Sequence, residues 1–301
     1  MAHNVGVVIL HPPAQSKEDA ERHFHNTEEC FTSLMTFEPN SEVILIDNGA
    51  GEERLKSLSL TSAKSSGQNL GYAAGVNEGL KALMSQNFDY YLLLNNDVVI
   101  PKPFLLPLIN DLESEDRGGV IAPIIVSYSD LDQIWGAGGN MNWVIARPSM
   151  MTELNVAHEV FEVDYVSGCC LLVPKKILDE VGLLDEDYFF GMEDVDFCMR
   201  LSEKGYKCLV SPETYVLHKG SQASGGPQTP FTLYNLLRGN FLLVQKRYLW
   251  RHRLIPYLYL TALSLKILLN CLRMPEESRK GGLTSVFNVW KDLTHGTQNR
   301  N

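Results

Sequence analysis

The sequence predicts an α/β fold: a mostly parallel central sheet with flanking helices, and a helical appendage at the C-terminus. Three observations predict it. Apolar runs at Val5–Leu10, Glu42–Ile46 and Tyr90–Leu94 each stop at polar residues. Continuous runs of this kind read as strands buried on both faces, as in a parallel sheet. The segments between them carry helical periodicity, so strand and helix alternate as in a doubly wound sheet. Residues 231–301 then change character, with 11 Lys/Arg against 3 Asp/Glu, while the preceding 230 residues hold 15 against 33.

In order, Val5–Leu10 is a strand ended by His11-Pro12-Pro13, and residues 17–37 carry a helical stripe. Glu42–Ile46 is the second strand and stops at Asp47-Asn48-Gly49. In Asn69–Asn77, Gly71 and Gly75 sit where a loop becomes a helix running to about Gln86. Free N–H groups at such a start suit a phosphate, although a tight helix entry explains the glycines equally well. Tyr90–Asn96 is a strand, 103–113 a helix, Val120–Val126 a strand, and Trp135–Gly139 a loop or short hairpin. Asp164–Pro174 reads as a strand with a bulge or close approach at Gly168, followed by a short helix over Lys175–Val181. Lys207–Val210 and Thr214–Leu217 are short strands. His218 closes the second, before a Gly/Ser-rich loop through Gly226.

Three places can carry chemistry. Asn95-Asn96-Asp97 falls at the carboxyl end of a buried strand, where open α/β sheets bind ligands, and Asp97 offers oxygen to a hard cation. The same triplet also suits a plain turn. Residues 182–200 set six carboxylates among aromatics, with Glu193, Asp194 and Asp196 at the start of a helix reaching about Lys204. Helix capping accounts for acidic residues there, but three within four positions exceed what capping requires. His218, at a strand end, is a ligand candidate, though a lone His is more often structural.

Composition narrows the classes. Hydrophobic content of 45% and charged content of 21% are ordinary for a globular protein. A net charge of -10, concentrated in residues 1–230, argues against a nucleic-acid surface. The six cysteines show no metal-ligand spacing and read as reduced, small hydrophobes, as in a cytosolic protein. The N-terminus enters a strand pattern at once, so no signal peptide is expected.

Together Val43–Gly49, Asn69–Asn77, Leu92–Asp97, Gly182–Arg200 and His218 make the chain resemble the inverting glycosyltransferases of family 2, which have the GT-A fold. Within them it is most similar to the rhamnosyltransferase-like branch that builds bacterial surface polysaccharides. The likeness covers about residues 4–220. It implies a GT-A catalytic domain over 1–230 and a helical appendage over 231–301. It further implies that Asp47, Asn69, Gly71 and Asn96 bind the donor nucleotide, and that Asp97 and His218 hold Mn2+ or Mg2+. Asp194 would be the base with Glu193 beside it, Glu193 and Asp196 acting as orienting neighbours; sequence alone does not rank the three. The donor implied is a dTDP- or UDP-sugar, rhamnose from dTDP first, and the acceptor a glycan or lipid-linked saccharide. His11-Pro12-Pro13 departs from the polar pair of many relatives, which leaves the nucleotide open.

Two other classes compete. A nucleotidyltransferase needs a Gly-rich basic loop after the first strand, and residues 11–17 have one Lys and no Gly. A non-catalytic carbohydrate-binding protein would not need Asp97, Asp194 and His218 together. In the basic tail, Leu254–Leu272 is a nineteen-residue run broken by Pro256, Lys266 and Asn270. That is marginal for a membrane span. It suits a helix packed on the catalytic domain or, as favoured here, one lying on the inner face of the plasma membrane.

Overall fold

In the computed structural model, which describes residues 3–58, 62–154, 159–220, 229–272 and 276–295, the apolar runs form the middle of one twisted sheet. The first half of the chain runs β1 (Val5–His11), α1 (Lys17–Phe37), β2 (Glu42–Asp47), α2 (Leu55–Leu58), β3 (Ser62–Ser65), α3 (Tyr72–Met84), β4 (Tyr90–Asn95), β5 (Val98–Val99), α4 (Leu105–Ser114) and β6 (Gly118–Ser127). Then come β7 (Ile134–Gly136), β8 (Gly139–Asn142), β9 (Arg147–Met150), β10 (Phe161–Val163), β11 (Cys170–Pro174), α5 (Lys175–Val181), α6 (Glu193–Glu203) and β12 (Lys207–His218). Three long helices end the chain: α7 (Pro230–Arg247), α8 (Leu254–Cys271) and α9 (Glu276–His295).

The sheet order is β10-β12-β6-β11-β4-β1-β2-β3. β1 pairs in parallel with both β2 and β4, and β12 pairs in parallel with β6. β11 is inserted antiparallel between β4 and β6. Side chains of one strand alternate between two cores, as the pleat requires. Val8, Ile44 and Leu93 pack with Leu80 of α3 and Phe197 of α6. Val7, Leu45 and Leu92 pack on the other side with Leu34 of α1 and Leu108 of α4. Both faces are covered by helices, which is why these strands read as unbroken apolar runs.

The differences from sequence expectation are local. The two short strands expected over 207–217 are one strand, β12, with a register shift between Ser211 and Tyr215. The strand expected from Asp164 begins at Cys170, because the backbone at Gly168 is engaged by side chains of the site. The stretch around Trp135 divides: β7 joins the main sheet, while β8 and β9 form a separate hairpin. β3 is Ser-Ala-Lys-Ser, which has no apolar alternation to mark it as a strand. The Gly/Ser-rich loop after Lys219 falls mostly on 221–228, outside the described residues. All six cysteines are buried thiols.

Candidate active site

A cavity of about 880 Å³ opens at the carboxyl ends of β1 and β4, between them and the first turn of α6. Asp97 and His218 meet at its floor. They are 121 residues apart, but β5 pairs antiparallel with the end of β12, setting Val98 opposite His218. The Lys219 N–H also donates to the Asp97 carbonyl at 3.0 Å. His218 Nε2 lies 3.1 Å from Asp97 Oδ1. Both side chains are buried, and neither ring nitrogen makes a hydrogen bond of good geometry. Burial works against the imidazolium, but Cys169 and Asp97 outweigh it and raise His218 above its ordinary range. Since burial also raises the Cys169 thiol and keeps it protonated, Asp97 is the anion that matters here.

These residues fit a divalent cation. The His218 ring nitrogens have no hydrogen-bond partner, so the neutral imidazole can offer a lone pair to an ion beside the Asp97 carboxylate. The 3.1 Å separation matches that of adjacent donors each about 2.1 Å from one ion, roughly 3 Å. Among the described residues no group of three or more His, Cys, Asp or Glu is placed to hold a metal. The pair therefore suits an ion that draws its other ligands from a diphosphate and water.

Glu193 and Asp194 open α6 after Gly191 and Met192, both at positive φ (78° and 75°), which turn the chain sharply into the helix. Asp194 is held from two sides: Gly168 N–H donates to Oδ2 at 3.1 Å and Val195 N–H to Oδ1 at 2.8 Å. Burial raises its carboxyl, and those N–H groups pull it back toward the ionised form. Glu193 has an unpartnered Oε2. Burial, with the Asp194 charge next to it, pushes Glu193 up to about 8. Burial therefore favours a proton on Glu193, while the two N–H groups favour the charge on Asp194. Asp196 is not part of this arrangement. Fully buried, it accepts from Arg200 Nε at 2.9 Å, Arg247 Nε at 2.6 Å and the Tyr188 hydroxyl at 3.3 Å. Its expected role as an orienting neighbour becomes one of tying α6 to α7.

Of the expected nucleotide residues, Asn69, Gly71 and Asn96 line the cavity. Asn48 links the first two: its Nδ2 donates to Asn69 Oδ1 and to the Gly71 carbonyl, both at 3.1 Å. Gly71 has φ 82°, and a Cβ there would stand 2.4 Å from the Phe189 carbonyl, so only glycine fits. Asn96 Nδ2 donates to Thr27 Oγ1 at 3.1 Å, and Thr27 also contacts His11 Nδ1 at 2.8 Å. Asp47 stands apart. Its carboxylate accepts from the Ala50 and Glu52 N–H groups at 2.7 and 3.1 Å, shaping the turn after β2, and Asn48 takes its place in the cavity wall.

Several lining residues carry no sequence signal of a site. Arg22 and His23 come from α1, where polar positions look like a solvated face. Tyr72 donates its hydroxyl to the Gly168 carbonyl at 2.7 Å, and the Trp135 ring stands edge-on to His218 at 4.5 Å. Phe231 of α7 packs on Phe189 and Phe190 at 6.3 and 5.2 Å, so the tail contributes to the wall.

A family model described as "Glycosyl transferase family 2" matches residues 21–182. The chain is 29% identical over 221 residues to the N-acetylglucosaminyl-diphospho-decaprenol L-rhamnosyltransferase of Mycobacterium tuberculosis, covering 64% of this chain and 71% of that protein. It is 24% identical over 166 residues to the low-salt glycan biosynthesis hexosyltransferase Agl10 of Haloferax volcanii, 53% of each. Among solved structures, GalNAc-T7 with UDP, GalNAc and Mn2+ aligns at TM-score 0.55 and 17% identity, over 72% of this chain and 43% of that one. The mannosyltransferase PcManGT from Pyrobaculum calidifontis, in complex with GDP-Man and Mn2+, aligns at TM-score 0.56 and 12% identity, over 99% and 77%. At these identities the structural likeness establishes the GT-A fold, as the sequence predicted.

Proposed function

The chain belongs to glycosyl transferase family 2 and is a glycosyltransferase; from that premise we propose that it carries a sugar from a nucleoside-diphosphate donor to an acceptor hydroxyl in one inverting, metal-assisted displacement. The observation that carries this reading is one cavity lined by two unlike pairs. Asp97 and His218 suit the diphosphate end, and Glu193 and Asp194 the acceptor end.

Asp194 takes the proton of the acceptor hydroxyl. The freed oxygen lone pair forms the bond to the anomeric carbon as the bond from that carbon to the diphosphate oxygen breaks, its electron pair leaving on the diphosphate. A positioned base of this kind contributes about 10²–10⁴ in rate, roughly 3–5 kcal/mol. The Gly168 and Val195 N–H groups fix the carboxylate and favour its ionised form. Asp97 and His218 would hold a divalent cation that would neutralise charge on the leaving diphosphate, and the imidazole would favour Mn2+ over Mg2+. Asn69, Gly71 and Asn96 form the donor wall.

Similarity to the mycobacterial rhamnosyltransferase favours rhamnose as the sugar and a lipid-linked saccharide as acceptor; the donor nucleotide proposed is dTDP, with UDP next. The reaction is assigned to the cytoplasm. A thermal-shift panel of nucleoside diphosphates with and without Mn2+ tests the donor half. One nucleotide should stabilise the protein only when Mn2+ is present. Stabilisation by none of them, with or without metal, would remove the donor assignment.

A further inference from the structure

Helix α8 is packed on one side and bare on the other. Leu260, Ser264 and Cys271 are buried against α7 and α9, and Tyr257 stacks on Phe241 at 6.1 Å. Leu254, Leu258, Leu265, Leu269 and Leu272 are each more than half exposed, and their spacing puts them on one stripe along the helix. Leu249 and Trp250 precede the stripe, with Trp250 82% exposed. Arg251 and Lys266 are exposed beside it, and residues 249–272 contain no Asp or Glu.

We propose that this outward face of α8, with Trp250, is a membrane-docking surface for anionic lipid. A contiguous apolar stripe edged by cations and led by a tryptophan is what an interfacial helix presents. A second copy fits less well, because face-to-face pairing would set the same cations against each other. Crossing the bilayer fits less well too. The segment has the length and a mean hydropathy of 1.5, but its inner side is occupied by protein. The far end of α8 also lies beside the site: Cys271 abuts Gly282 of α9, Gly281 abuts Pro230, and Pro230 and Phe231 line the cavity. Docking α8 holds the chain at a lipid surface, where a lipid-linked saccharide presents its hydroxyl. This purpose rests on the proposed transferase reading; the docking itself does not.

The test is co-sedimentation of the full chain with phosphatidylglycerol-containing and pure phosphatidylcholine vesicles, without donor or acceptor. The chain should partition onto the anionic vesicles, and Leu258→Glu, Leu265→Glu and Leu269→Glu together should reduce partitioning at least about tenfold. These side chains are exposed, so the melting temperature should be kept. As a second measurement, Leu265→Cys carrying an environment-sensitive fluorophore should shift to the blue with anionic vesicles; the native cysteines are buried and leave the label selective. Equal partitioning of the triple variant, or no spectral shift with dimerisation instead, would overturn the proposal and leave the transferase reading untouched.

Discussion

Asp196→Asn should cost stability before it costs chemistry. The carboxylate is fully buried and shared between two arginines, Arg200 at 2.9 Å and Arg247 at 2.6 Å, themselves only 15% and 17% exposed. An asparagine keeps one acceptor oxygen and turns its amide N–H2 toward the other guanidinium, which has nothing to donate to. A hydrogen bond to a charged group contributes about 1.5–3 kcal/mol, so losing one and weakening the other costs about 3 kcal/mol. For a chain of this size that lowers the melting temperature by roughly 5 °C. The assay is a thermal melt by circular dichroism, followed by turnover well below the transition. Turnover should fall modestly, through displacement of α6, with its pH profile unchanged. A variant that melts like the parent yet loses turnover as completely as Asp194→Asn would refute the structural role and make Asp196 the base.

The other expectations concern the site. Asp194→Asn should lower kcat at least about a hundredfold with donor affinity little changed; steady-state kinetics checks this, and the assignment fails if Glu193→Gln gives the larger loss. Glu193 has its folded-state carboxyl raised from 4.5 to about 8, so the stability linked to its proton is full below pH 4.5 and is lost as pH rises to about 8. Glu193→Gln should flatten that decline in denaturant midpoints taken across pH. Gly71→Ala meets both a positive φ and the Phe189 carbonyl, and should cost at least about 2 kcal/mol and weaken donor binding; an unchanged melt would mean the loop moves freely. Asp97→Ala should leave a folded protein without Mn2+-dependent turnover, and full activity with the same metal requirement would remove Asp97 from the metal site.

The sheet was legible because burial on both faces writes a strand as an unbroken apolar run, and a polar residue ending such a run marks the ligand side. Asp97, Asn96 and His218 stood out for that reason, and all three line the cavity. Asp47 has the same signature but spends its carboxylate on two backbone N–H groups. An Asp in a turn and an Asp in a site are one residue type in one kind of place. Asp194 and Asp196 could not be told apart for a different reason. What separates them is Arg247, which lies 51 residues beyond Asp196. The tail is helical, as its composition suggests, and it does more than append. Its first turn places Phe231 against Phe189 and Phe190 in the wall of the cavity, a contact that no local pattern in the sequence marks. Truncation near Phe231 therefore disturbs the site as well as any membrane contact.

The central claim, single displacement with Asp194 as base, is tested most directly by the configuration of the product. The chain would be incubated with dTDP-rhamnose or a UDP-sugar, Mn2+ and a saccharide acceptor, and the new linkage read by NMR. The account predicts an anomeric configuration opposite to that of the donor, released with one equivalent of nucleoside diphosphate and nearly absent with Asp194→Asn. Retention of the donor's configuration, or undiminished product from that variant, would contradict it.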